Sequence, residues 1–291
     1  MNIGIVGQGF VGTAIKEGLN KFYNIFTYDI DQRKCNSTLE EVVQKSDIIF
    51  QCLPTPMKSS GECDLSIVTS SASKINILAS RFNKKDLIVV IKSTVPPGTT
   101  ESINHNNDNL TVIFSPEFLT EANSIEDFKN QTRIILGGPR PATTIVKTMF
   151  RKPFPHIPIV KTGFRTAEMV KYFLNNFLTT KVLFANEMYR ICKSLNIDYD
   201  KVTEYSLYDK RLGSSHLAVP GPDGDYGVGG HCFPKDLSAM IYLANSMQVD
   251  TTILNAVKEK NNMIRTNRDW ESMKGRAISI ENNIKGENNE Q

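Results

Sequence analysis

Between Gly221 and Asp236 the chain reads GPDGDYGVGGHCFPKD. Gly224, Gly227, Gly229 and Gly230 crowd this loop, and one thiol, Cys232, follows with Lys235 and Asp236 just beyond. Glycines at that density let backbone take left-handed conformations and bring N–H groups close to a bound molecule. Thiolate is the reactive form of cysteine and a nearby ammonium favours it, so Cys232 is a candidate nucleophile. The same residues also fit a surface loop with one packed small hydrophobe, because most free cysteines are simply buried.

A second chemical pattern opens the chain. Asn2 to Val6 is a short apolar run, read as a buried strand, which breaks into Gly7-Gln8-Gly9-Phe10-Val11-Gly12 and then a helical spacing. In a GxGxxG turn the first glycine makes the bend, the second lets backbone approach a pyrophosphate, and the third packs helix on strand. The helix then directs its positive end at the phosphates. A second strand ends in Asp29, about twenty residues on, where an acid can hold the free ribose 2′-hydroxyl of NAD. Lys34 could touch the same ribose or be solvated.

Further strands end in residues able to reach a crevice, because ligands of such sheets bind beyond the carboxyl ends of strands. Leu53-Pro54-Thr55-Pro56 follows one; Lys92-Ser93-Thr94-Val95-Pro96-Pro97-Gly98 follows another. Thr94 could hold a hydroxyl near a nicotinamide or merely cap a turn. A third strand opens into Ser115-Pro116-Glu117-Phe118-Leu119-Thr120-Glu121. Glu117 and Glu121 can share one crevice, although solvation is the default for glutamates.

These strands must be positioned by an α/β alternation, so the expected fold is an N-terminal Rossmann dinucleotide-binding domain followed by a helical domain. The domain boundary is expected near Pro153 to Thr162, giving spans of 1–158 and 159–270 with a disordered tail at 271–291. From Thr166 to Leu195 the pattern is helical without proline or glycine. About thirty residues at ~1.5 Å each make roughly 45 Å, long enough to pass between subunits, so a homodimer through this helix is expected. Glu168, Lys171 and Asn175 share one face of it. Lys171 and Asn175 could stabilise an oxyanion or hold a water, or belong to a solvated polar stripe.

Composition bounds the rest. A net charge of +3 argues against nucleic acid, and no apolar run is long enough for a membrane span. Five irregularly spaced cysteines do not form a disulfide framework, and no leader is read, so a cytoplasmic protein is expected. No metal is expected.

Taken together, GQGFVG with Asp29, LPTP, STVPPGTT, SPEFLTEA, the Lys171/Asn175 helix, Arg211-Leu212-Gly213 and GVGGHCFPKD resemble the UDP-glucose/GDP-mannose dehydrogenase family, the nucleotide-sugar 6-dehydrogenases. The resemblance implies NAD-dependent four-electron oxidation of a nucleotide sugar, UDP-glucose foremost, at C6 to the uronate used in polysaccharide biosynthesis. It implies a thiohemiacetal and a thioester on Cys232. Lys171 and Asn175 would stabilise oxyanions, Glu117 would serve water-mediated base chemistry, and Asp236 would support Lys171 and the water. Thr94 and Glu121 would lie at the cofactor–substrate junction, with Gly7, Gly9, Phe10, Val11, Gly12, Asp29, Lys34 and Thr55 on the cofactor. Glu117, Phe118, Leu119, Gly229 and Gly230 would line the sugar, and Arg211 would reach the substrate of a neighbouring subunit. The family's third, C-terminal domain is expected to be absent, and Pro220 to Asp225 read as an insertion before the glycines. Two other readings compete: a catalytically idle NAD-binding or assembly subunit, and a β-hydroxyacid dehydrogenase, which would need the lysine but not the cysteine.

Overall fold

The computed structural model describes residues 1–281. The chain forms two compact units, one of Met1–Thr55 and Leu65–Phe177, the other of Pro56–Asp64 and the chain from Leu178 on.

In the first unit strands and helices alternate: β1 (Asn2–Val6), α1 (Phe10–Leu19), β2 (Asn24–Tyr28), α2 (Leu39–Lys45), β3 (Ile48–Gln51), α3 (Ser66–Arg81) and β4 (Leu87–Ile91). There follow α4 (Thr99–His105), β5 (Leu110–Phe114), α5 (Ser124–Lys129), β6 (Ile134–Gly137), α6 (Arg140–Arg151), β7 (Ile159–Thr162) and α7 (Phe164–Ser194). The strands make one sheet in the order β2-β1-β3-β4-β5-β6-β7. All pairs are parallel except β5 with β6, which meet antiparallel at Phe114 and Gly137. Helices cover both faces, so the inner strands are apolar throughout rather than alternating. Ile3, Ile5, Phe50, Val90 and Ile113 pack with Ile15, Phe128 and Phe150 on one face. Ile49, Val89, Val112 and Phe114 pack with Val42, Ile75 and Ile103 on the other. Each such side chain, fully buried, contributes about 1.5–3 kcal/mol. This is the doubly wound α/β fold expected from the sequence.

β7 was not among the strands read from the sequence. It has four residues, half of them solvent-exposed, and prolines precede it, so only its pairing with β6 identifies it. Through that pairing and the first half of α7, residues 159–177 belong to the first unit. Helix α7 runs unbroken for 31 residues. Near its start Glu168, fully buried, accepts the N–H groups of Gly98 (2.6 Å) and Thr100 (2.8 Å). It thereby caps α4, whose first amides have no partner within their own helix.

The second unit contains the rest of α7, then α8 (Tyr199–Ser206), α9 (Phe233–Ser246) and α10 (Thr252–Ile264). Leu183, Val228, Leu237, Ile241, Val257 and Ile264 form its core. Residues 56–64 join it as a narrow strip: Met57 bridges Cys63 and also Ile278, with Met57 N–H donating to Ala277 O at 2.7 Å. Of the tail expected over 271–291, residues 271–281 are held this way, Ser59 N–H also donating to Glu281 at 2.8 Å. Residues 282–291 lie outside the described residues. No described helix is long and apolar enough to cross a membrane.

Candidate active site

The glycine turn between β1 and α1 separates three roles that the sequence pattern lumps together. Gly7 has φ +94°, and a side chain there would lie 2.3 Å from Cys52 O. A side chain at Gly12 would lie 1.9 Å from Gly7 O, so it too is fixed by packing. At Gly9 a Cβ would meet nothing within 4 Å, leaving open space over the head of α1. That is the cradle a pyrophosphate requires. Asp29, just past β2, accepts Gln8 N–H at 2.6 Å and Asp31 N–H at 2.9 Å, so the acid also fixes the turn. Phe10 and Val11 open α1, partly buried, while Lys34 is exposed in a short 3₁₀ turn. These features fit the NAD site.

At the ends of β3, β4 and β5, three loops meet. Thr55 Oγ1 donates to Thr94 O at 2.8 Å, and both residues are buried. Glu117 is buried, accepts Leu119 N–H at 2.7 Å through one oxygen and pairs with Lys171 Nζ at 3.0 Å through the other. Lys171 also donates to Glu117 O at 2.7 Å. Burial pulls the Glu117 carboxyl up, but Lys171, the Leu119 amide and Lys92 outweigh it and hold it below the usual value. Phe118 lies under Arg133, 4.1 Å from ring centre to guanidinium carbon, and 5.7 Å from Lys171 Nζ. Asn175 sits buried one turn beyond Lys171. The Glu168, Lys171 and Asn175 face is therefore buried, not solvated. Glu121 is exposed.

Lys92 was not singled out from the sequence. It is 7% exposed at the end of β4, and its ammonium donates to Ser115 Oγ (3.2 Å) and Pro116 O (3.1 Å). Burial is the main reason its pKa falls to about 8, with Lys171 adding to the fall and Cys52 and Glu117 opposing it. Burial likewise raises Cys52 to about 12, so that thiol stays protonated. A lysine directly after five buried strand residues was the available signal.

In the second unit, Cys232 is the residue that caps α9, and Pro234 occupies the first turn, where its missing N–H costs nothing. The helix thus begins directly after the thiol, and Lys235 and Asp236 fall in its first turn. Lys235 Nζ lies 2.5 Å from Asp236 Oδ1, both buried. Asp236, expected to support Lys171, has this neighbour as its partner within the unit. Lys235 is also within electrostatic reach of Cys63 and Cys232. Gly229 and Gly230 are partly exposed ahead of the thiol, and Arg211 is exposed and paired with Asp209 at 2.9 Å.

The first unit has the architecture of a dinucleotide-binding protein, and the second presents a thiol at a helix head beside a buried ammonium. The description "UDP-glucose/GDP-mannose dehydrogenase family, NAD binding domain" matches residues 35–154, and that family's central domain matches residues 165–263. UDP-glucose 6-dehydrogenase YwqF of Bacillus subtilis is 33% identical over 300 residues, covering 90% of this chain and 66% of its own. UDP-glucose 6-dehydrogenase of Rickettsia bellii is 33% identical over 266 residues, covering 89% and 58%. A solved UDP-glucose dehydrogenase from Pyrobaculum islandicum superposes with a TM-score of 0.81 at 28% identity, covering 90% of this chain and 68% of that one. This chain belongs to the UDP-glucose/GDP-mannose dehydrogenase family and carries its NAD-binding and central domains. It spans under two thirds of the length of these two curated relatives.

Proposed function

We propose that the chain oxidises a nucleotide sugar, UDP-glucose first, at C6 to the uronate, in the cytoplasm and for polysaccharide biosynthesis. The observation that carries this reading is Cys232 at the head of α9, within reach of the buried Lys235 ammonium. Two oxidation levels on one carbon need a covalent handle that retains the aldehyde, and a thiolate is the effective one at neutral pH.

Bound NAD accepts a hydride in each of the two oxidations. Between them the Cys232 thiolate adds to the C6 aldehyde and forms a C–S bond. The thiohemiacetal is oxidised to a thioester, and water then breaks the C–S bond, releasing the carboxylate and the thiol. One alcohol, two NAD⁺ and one water become one carboxylate, two NADH and three protons. Lys171 and Asn175 stabilise the oxygen that becomes anionic, and Glu117, held ionised, takes a proton through water. Thr94 and Glu121 serve the cofactor–substrate junction, Phe118, Leu119, Gly229 and Gly230 the sugar, and Asp29 the ribose. Arg211 serves a neighbouring subunit, in a homodimer formed through α7. The exposed Phe173, Phe177 and Phe184 along that helix support such an interface.

NADH formation by the purified chain across a panel of nucleotide sugars tests the reading. Two NADH per UDP-glucose consumed is the expected result. NAD binding without turnover on any sugar would replace it with an idle NAD-binding subunit.

A further inference from the structure

The loop that delivers Cys232 has no regular structure of its own, yet its backbone is tightly specified by side chains of α10 and the turn after it. Asn261 accepts Val228 N–H at 2.8 Å and donates to Val228 O at 3.1 Å. A side chain at Gly227 would lie 2.3 Å from Asn261 Oδ1. One turn along, Arg265 is 5% exposed. Its guanidinium pairs with Asp223 at 2.5 Å and Asp225 at 3.5 Å, and donates to Asn267 O at 2.8 Å. It also lies 3.9 Å from Asp269, whose carboxylate accepts Gly230 N–H at 3.0 Å. A side chain at Gly229 would lie 2.2 Å from Arg265 Nη2, so the guanidinium rests directly on that backbone.

We propose that Arg265 is a positioning residue for Cys232, clamping the Asp223–Asp225 turn and setting, directly at Gly229 and through Asp269 at Gly230, the backbone that ends in the thiol. It extends the reading of Cys232 as nucleophile and depends on that reading for its purpose. Pro220 to Asp225 supplies two of the three carboxylates that surround the cation. The planar five-donor fork of arginine matches this set, and a lysine ammonium does not. The glycine at 229 is therefore demanded by the clamp itself and that at 227 by Asn261, independently of any bound sugar.

The test uses the full chain as wild type, Arg265→Gln, Arg265→Lys and Asp269→Asn. Iodoacetamide labelling of Cys232 is followed by peptide mass, with Cys35 of the first unit as internal reference, alongside thermal melting and NAD affinity. Arg265→Gln is expected to lower the Cys232-to-Cys35 labelling ratio severalfold with NAD affinity unchanged, and Arg265→Lys to recover only part of it. With UDP-glucose, kcat falls about 10- to 100-fold while the KM for NAD stays constant, the signature of a misplaced nucleophile. A folded Arg265→Gln with the wild-type labelling ratio overturns the proposal. Should that variant not fold, Asp269→Asn carries the test, and an unchanged ratio there overturns it equally. Labelling needs no turnover, so a wild type that makes no NADH counts against the dehydrogenase reading alone.

Discussion

Lys92 in the first unit and Lys235 in the second are buried to the same degree, at 7% and 8% exposure, yet their charges are treated in opposite ways. Lys92 donates to a hydroxyl and a carbonyl, both neutral, and burial takes its pKa down to about 8. Lys235 suffers the same burial, but Asp236 beside it, with Cys63 and Cys232 in reach, more than compensates and raises it above the ordinary lysine value. The kind of partner, not the depth, decides whether a buried ammonium keeps its proton. Lys235 is a fixed cation beside the thiol; Lys92 can lose its charge near neutral pH beside the Glu117–Lys171 pair.

If the fixed cation exists to favour the thiolate, Cys232→Ser should remove NADH formation by on the order of a thousandfold or more, as loss of a nucleophile does. An NAD titration should show unchanged affinity; residual turnover close to wild type would strip Lys235 of that purpose. The partner argument itself is broken or sharpened by removing each lysine's acceptor. Asp236→Asn leaves a buried charge without its carboxylate and should cost about 3–5 kcal/mol in denaturant unfolding. Ser115→Ala removes one neutral acceptor from Lys92 and should cost about 1 kcal/mol. Equal losses would refute the distinction.

The pH dependence has a definite sign. Between about pH 8 and its ordinary 10.5, Lys92 is deprotonated in the folded chain and protonated in the unfolded one. The unfolded state binds more protons at Lys92 there, so the Lys92 contribution to stability rises with pH across that window, by roughly 3 kcal/mol for a shift of this size. Above about pH 9 it is opposed by Cys52, which stays protonated in the folded chain. Lys92→Met should flatten that slope. Glu117, held below its usual value, acts at the other end: its contribution is present above the ordinary carboxylate pKa and is lost on acidification. The last effect concerns cofactor binding and belongs to the glycine turn. Asp29→Asn weakens the hold on Gln8 N–H and, on the proposed reading, on the ribose, so NAD affinity should fall about tenfold in a binding titration.

What could be read from the sequence was what local chemistry writes. The GxGxxG turn carries its geometry within six residues, Asp29 follows at the spacing that one βαβ unit sets, and α7 is marked by the lack of any breaker. What escaped depended on partners distant in sequence. The shared face of Glu168, Lys171 and Asn175 was visible in the spacing, but its burial was not, because Glu168 caps α4 and Lys171 meets Glu117 54 residues away. Proline after Cys232 is compatible with a loop or with a first helical turn, and the structure has it in the first turn of α9, directly after the thiol. Lys92 could not be distinguished from a solvated lysine until Ser115 and Pro116 were placed beside it.

The strip at residues 56–64 depends on the order in which the chain is made. Its bridging partner at Ile278 is among the last described residues to leave the ribosome. At about 5–20 residues per second, the strip waits roughly ten to forty seconds for that partner. The first unit can close around its sheet without those nine residues, which are then looped out between β3 and α3 with Cys63 unprotected. The second unit is consequently the late one to mature, and a chain interrupted before residue 273 would present a finished nucleotide fold with an open-ended neighbour.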